Sequence, residues 1–233
     1  MSSLPEPPWS SRKEKRPARA PITREAITEA ALRIVDAEGL DALSMRRLAD
    51  QLDCQASALY GHVSGKSEVL QLLIDHVAGE IDVPDPDPER WQEQLKDVMR
   101  AIHSAFLAHR DLAGASIANI PTGPNSAHAV DRLLAILQAS GLSRQHVAYA
   151  ADLLPQFVTA SAYEFSLFEQ RVEHEPEYFE RLGAYYQALP ADRFPVLADL
   201  VGELMAPDEE PTARFEFGLD VIVRGLAALS DRG

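Results

Sequence analysis

The stretch from Ser44 to Lys66, SMRRLADQLDCQASALYGHVSGK, constrains the fold more than any other part of the chain. Met45, Leu48, Ala49 and Leu52 recur at i, i+3, i+4 and i+7, the stripe of one buried helical face. Ser44 stands before them, where a hydroxyl can cap the first turn. Arg46, Arg47 and Asp50 fall on the opposite, solvated side. Asp53 then supplies a residue that tolerates the left-handed backbone often needed to end a helix and turn sharply. A second helix is expected from about Gln55 to His62. It buries Ala58, Leu59 and Val63 and turns Gln55, Ala56, Ser57, Tyr60 and His62 outward.

That outward face suits a DNA-reading helix. Small residues at its start let the backbone lie close in the major groove, where base edges differ. Tyr60, His62 and Lys66 are candidates for phosphate contacts, which set register but not sequence preference. The alternative is a helical hairpin in an ordinary bundle, with Arg46 and Arg47 merely solvated. A third helix upstream supports the first reading. Thr23 is its N-cap, Ile27, Ala30, Ala31, Ile34 and Val35 its buried stripe, and Gly39 its stop. Leu40 and Leu43 close a small core against the hairpin.

These residues carry a resemblance. Residues 22–81 resemble the DNA-binding domain of the tetracycline-repressor (TetR) family. The matching segments are Thr-Arg-Glu at 23–25, Glu-Gly-Leu at 38–40, Ser-Met-Arg-Arg-Leu-Ala at 44–49, Leu-Tyr-Gly-His-Val at 59–63, and Lys66 followed by Ser-Glu-Val-Leu. The resemblance implies that Arg46, Gln55, Ala56 and Ser57 face bases and that Tyr60, His62 and Lys66 contact backbone. Asp53 departs from the glycine usual at this turn, and Gly61 replaces a Trp of the tetracycline repressor itself.

Charge first argues against DNA and then, once divided, agrees with it. The 233 residues carry a net charge of −14. Residues 1–66 hold ten basic against nine acidic side chains, and the remainder holds twelve against twenty-seven. The acidity therefore belongs to the second part, which can repel DNA and orient the molecule. Residues 1–21 read as a flexible arm with Arg12, Lys13, Lys15, Arg16 and Arg19. It either follows the DNA backbone or minor groove, or serves as a solubilising tail. No apolar run reaches membrane-spanning length and no signal-peptide core opens the chain, so a cytoplasmic protein is expected. The lone cysteine, Cys54, excludes an intrachain disulfide and a cysteine-based zinc finger and reads as core.

Val83-Pro-Asp-Pro-Asp-Pro88 is expected to end the fourth helix and open a second domain, residues 83–233. The periodicity there gives helices near 88–109, 111–119, 125–140, 144–171, 176–189, 193–205 and 210–230, with no alternating strand. The fold class is all-α: a three-helix reading head with a connecting helix (22–82), joined to a helical ligand-binding and dimerisation domain. His174 is expected in a charged loop. Gly218, Ile222, Gly225 and Leu229 share a face of the last helix. Its glycines point to close self-packing or, alternatively, to an intramolecular contact. Val147, Leu154, Val158 and Phe165 offer a second long apolar surface. Family resemblance implies that these two helices pair with their symmetry mates, so that a homodimer meets palindromic half-sites about 34–36 Å apart.

An effector pocket is expected from Val98, Ile102, Phe106, Ile117, Ile120, Phe157 and Tyr163, with Asn119, Gln156 and Glu164 as orienting groups. Such a lining suits an aromatic or polycyclic ligand; the alternative is that these side chains are core. The second domain also resembles that of the tetracycline repressor, yet a tetracycline–magnesium ligand does not fit. Asp82, Val98 and Leu133 stand where that repressor has polar drug contacts, and Glu164 alone cannot hold a divalent ion. No metal or cofactor is expected. The reading is a repressor of double-stranded operator DNA, released when a small molecule shifts residues 66–81. Alternatives are a regulator or activator without a ligand, or an all-helical enzyme. Against the enzyme, no nucleophile–base pair, metal cluster or phosphate-cradling loop is present.

Overall fold

The computed structural model describes residues 21–109, 111–117, 120, 122–175, 177–205 and 212–230, apart from the side chain of Glu173. All secondary structure among them is helical. α1 (Arg24–Glu38) begins at Thr23, whose side chain accepts the Ala26 N–H, and ends at Gly39. A φ of 84° makes glycine the residue of choice there. A 3-10 turn (Leu40–Ala42) leads to α2 (Met45–Gln51), capped by Ser44 through the Arg47 N–H. Asp53 adopts φ 47° and makes the turn into α3 (Ala56–Leu59), which α4 (Lys66–Ala78) follows. Ile27, Ile34, Leu48, Leu59 and Leu73 are fully buried between these helices. Each such side chain contributes about 1.5–3 kcal/mol by leaving water.

Two expectations in this head are corrected. α3 ends at Leu59, short of His62. Ala58 is exposed, and Ala56 is half-buried against the core. The reason is angular: with Leu59 pointing inward, its neighbour three residues back shares that face and Ala58 falls beside it. α4 also stops earlier than its prolines require, because Gly79 already closes it through N–H bonds to the Asp75 and His76 carbonyls.

The second body comprises α5 (Trp91–Ala108), α6 (Leu112–Ile117), α7 (Pro124–Ala139), α8 (Arg144–His174), α9 (Tyr178–Gln187), α10 (Pro195–Met205) and α11 (Ala213–Ser230). Its core is built by α5, α7, α8 and α11 around Leu95, Met99, Ile136, Leu137, Leu154 and Leu219. α5 and α11 are also joined by Lys96–Asp220 at 2.7 Å and a two-pronged Arg100–Glu216 pair at 2.8 Å. Between those ion pairs and the core, His103 stacks on Phe215 with centroids 4.0 Å apart. His174 lies in the last turn of α8 and not in a loop, its Nδ1 2.7 Å from the Gln170 carbonyl.

Expected interface residues are likewise relocated. Val147, Leu154 and Val158 are at most 4% exposed and belong to this chain's own core. A Cβ on Gly218 would come within 2.6 Å of the Phe157 ring, so the close approach that this glycine permits is intramolecular.

The two bodies are stitched together where α5 turns into α6. Leu112 is fully buried in the core of the reading head. Asp111, at φ 63°, accepts the Leu40 N–H at 3.2 Å and the Gln170 side-chain N–H at 2.7 Å. His109 lies 3.2 Å from both Asp36 of α1 and Glu80 beyond α4. Burial opposes protonation of His109, but the two carboxylates outweigh it and raise its pKa above 6.5. Burial also opposes protonation of His103, only partly offset by Glu216, and lowers its pKa below 6.5.

The signs differ. His109 stabilises the fold fully below about pH 6.5 and loses that contribution as pH rises through its raised folded pKa. His103 contributes above about pH 6.5 and costs stability below it. In urea melts between pH 6 and pH 8.5, wild type should lose stability relative to His109→Gln as pH increases. Parallel pH profiles for the two proteins would show that this ion cluster is not formed.

Candidate nucleic-acid interface and effector cavity

Arg46, Gln55, Ser57, Tyr60 and Lys66 are all exposed on the head, Tyr60 to 56%. α2, the short α3 and the start of α4 place them around the Asp53 turn and the loop after α3. His62 and Ala56 are only half-exposed. Arg46 makes no hydrogen bond or ion pair among the described residues, whereas Arg47 is turned away to Glu38 and Gln51. Lys66 donates to the Leu40 carbonyl at 3.2 Å, which holds the start of α4 beside the 3-10 turn. Arg24 donates to the His62 carbonyl at 3.0 Å and pairs with Glu68. Glu68 also accepts the Ser64 N–H at 2.7 Å. That backbone bond, then Arg24, holds the Glu68 carboxyl below its ordinary range. These contacts fix the loop after α3 on two sides, so the exposed side chains project from a rigid frame. Cys54 is half-buried and packs against the head core.

Behind the head, α4, α5, α7 and α8 line a partly open cavity of about 120 Å³. Ile74, Val77 and Ala78 come from α4, and Val98, Ile102 and Phe106 from α5. Ser126, Ala129, Val130 and Leu133 come from α7, and Pro155 and Thr159 from α8, with Ile81, Val83 and Ser116 completing the wall. Of the side chains expected in the pocket, Val98, Ile102 and Phe106 are there. Ile117 and Ile120 are 58% and 82% exposed, and Gln156 and Glu164 face outward. Phe157 stacks toward Phe215, and the Tyr163 ring lies against Gly114. Asn119 lies outside the described residues.

The misplacement on α8 is one of phase. Pro155 and Thr159 share the face toward the cavity, and Gln156 and Tyr163 lie on the next one round. None of the α4 side chains is among those expected in the cavity. The signal was a second stripe, Ile74, Ala78 and Ile81, beside Val69, Leu73 and Val77. Among the described residues no group of three or more His, Cys, Asp or Glu is placed to hold a metal.

A third surface is apolar and open. On α8 it presents Tyr149, Leu153 and Leu167, between 45% and 64% exposed. On α11 it presents Phe217, Val221 and Leu229, between 40% and 74% exposed, with no atom within 4 Å of a Cβ built on Gly225. Phe165 is half-buried, and Ile222 packs against the core.

Known proteins agree with this arrangement. The family described as "Bacterial regulatory proteins, tetR family" matches residues 27–73, and "Tetracyclin repressor-like, C-terminal domain" matches residues 83–230. An HTH-type transcriptional regulator of Saccharopolyspora erythraea is 32% identical, the match covering 93% of this chain and 90% of that one. The HTH-type transcriptional repressor DrrR1 of Streptomyces coeruleorubidus is 29% identical over 92% of this chain and 82% of its own. Apo ActR of Streptomyces coelicolor superposes with a TM-score of 0.84 at 43% identity, over 92% of this chain and 99% of ActR. ActR in complex with actinorhodin gives the same score and identity over 91% and 99%. With both bodies matched and a helix-turn-helix exposed on the head, the chain belongs to the TetR family of DNA-binding transcriptional regulators.

Proposed function

We propose that this protein is a homodimeric cytoplasmic repressor, released from a palindromic operator when an apolar, aromatic small molecule enters the cavity behind α4. The observation that carries this reading is the double duty of α4. Val77 packs in the head core and also lines the cavity, flanked by Ile74 and Ala78. Anything that enlarges the cavity pushes on the helix that holds the head. At about 120 Å³ the space suits a single ring. A polycyclic ligand such as the actinorhodin bound by ActR therefore requires α4 to move relative to α5 and α7. Release needs only that the ligand favour one head spacing over the other.

The open faces of α8 and α11 are the proposed dimer surface, centred on Leu153, Val221 and Gly225. Contiguous exposed apolar side chains on helices of this length are the usual mark of an association site. Arg46, Gln55 and Ser57 are proposed to face bases, with Tyr60, His62 and Lys66 on phosphates. The basic segment before residue 21 lies outside the described residues and is proposed to follow the DNA backbone or enter the minor groove.

Fluorescence anisotropy with DNA from beside the protein's own gene tests the reading. Wild type should bind a palindrome tightly, weaken as salt rises, and dissociate on adding actinorhodin. Arg46→Ala should lower operator affinity about 5-fold to 150-fold, the size of one lost base contact, while circular dichroism stays unchanged. Tyr60→Ala should weaken all sequences alike with the salt slope unchanged, whereas Lys66→Ala should flatten that slope by about one. Sequence-indifferent wild-type binding, or release by neither actinorhodin nor a panel of other planar aromatics, contradicts the proposal.

The interface is tested separately. Leu153→Glu with Val221→Glu adds charge only at exposed positions and should give a folded monomer by sedimentation, with operator affinity lost. A dimer of unchanged stability would place the interface elsewhere.

A further inference from the structure

Ser126 is the third residue of α7 and is 3% exposed. It lines the cavity, and its Oγ is a buried side-chain polar atom without a hydrogen-bond partner among the described residues. Leaving a hydroxyl unpaired in an apolar wall costs stability. A serine within a helix can satisfy itself on the carbonyl one turn back. The Gly123 carbonyl, one turn back, instead accepts the Ala127 N–H, and the Ser126 hydroxyl is left unpaired within the wall of the cavity.

The backbone of the same residue is fully engaged. Its N–H donates to Asp75 Oδ1 of α4 at 2.8 Å, and the Asn125 side chain donates to the Asp75 carbonyl at 3.2 Å. The Asp75 carboxylate thus caps the N-terminus of α7, where free N–H groups favour an anion. Gly123, the N-cap residue, has no side chain for that task. A Cβ there would lie 2.0 Å from the Asp75 carboxyl carbon.

We infer that Ser126 Oγ is the polar anchor of the effector site, pairing with a hydroxyl or carbonyl oxygen on an otherwise apolar ring held by Val98, Ile102, Phe106 and Leu133. The inference rests on the cavity being the effector site. Apolar walls with one or two placed polar groups give a ligand its orientation as well as its affinity. The anchor also explains how a ligand is felt by α4. It engages the residue whose backbone is tied to Asp75, so the ring and its oxygen press on the α4–α7 junction directly.

Phenol and toluene test the anchor, because they share a heavy-atom skeleton and differ only in OH against CH₃. Both are close in size to the ring that an engineered apolar cavity of about 150 Å³ accepts. Their dissociation constants are measured by NMR titration of the full chain, wild type and Ser126→Ala. The ratio of phenol to toluene affinity should fall about threefold to tenfold in Ser126→Ala, the size of one hydrogen bond. The variant's melting temperature should be equal or higher, since it loses an unpaired hydroxyl. An unchanged ratio, or no binding of either probe, overturns the anchor.

Operator release by actinorhodin, followed in parallel, separates the two readings. Wild-type release with an unchanged phenol ratio removes the anchor alone. A ratio that falls as expected, with no release by any planar aromatic, keeps the anchor and removes the effector reading.

Discussion

One helix has to satisfy two cores, and the rest of the molecule is arranged around that constraint. Val69, Leu73 and Val77 of α4 complete the hydrophobic interior of the head. Ile74 and Ala78, one step round the same helix, form a wall of the cavity. Protein interiors are packed too tightly to deform smoothly, so a helix gripped on both sides shifts as a unit. Leu112 of α6, with Ala105 and Phe106 of α5, also packs into the head, so the head's orientation is set at α4 and at the α5–α6 corner together.

Polar contacts make that grip specific. At one end Lys66 and Arg24 tie the start of α4 and the loop after α3 to α1 and the 3-10 turn. At the other, Asp75 caps α7, and a Cβ on Gly79 would come within 2.8 Å of the Asn125 side chain. The α5–α6 corner adds a second attachment through His109, Asp111 and Leu112. In the proposed release the corner holds the head on the second body while the α4–α7 junction carries the displacement. Coupling between distant sites commonly amounts to about 1–3 kcal/mol. A few such hydrogen bonds, made in one arrangement and lost in the other, are of that order.

Much of this architecture was legible in the sequence because helical periodicity reports burial. The caps at Thr23 and Ser44, the stop at Gly39 and the left-handed turn at Asp53 are local chemistry, and the structure has each where the residues place it. The helices of the second body could be read for the same reason. What escaped were features of relative rotation. Periodicity marks an apolar face of α8 but not which neighbour covers it: Val147, Leu154 and Val158, expected against a partner, are core. Gln156 and Glu164, expected in the pocket, face outward. The Asp75–Ser126 cap joins residues far apart in sequence, and nothing around either one announces the other. Gly123 was its one trace, a glycine just before a proline-started helix with no capping side chain of its own.

Release by this route requires α4 to move the heads, and pulsed electron paramagnetic resonance measures that movement directly. Spin labels on Asp50→Cys in a Cys54→Ala background report the distance between the two heads of a dimer. Saturating actinorhodin should shift the distance distribution to a new maximum under the same conditions in which it empties the operator. A distribution unmoved by ligand, in a protein that the same ligand strips from DNA, would contradict it.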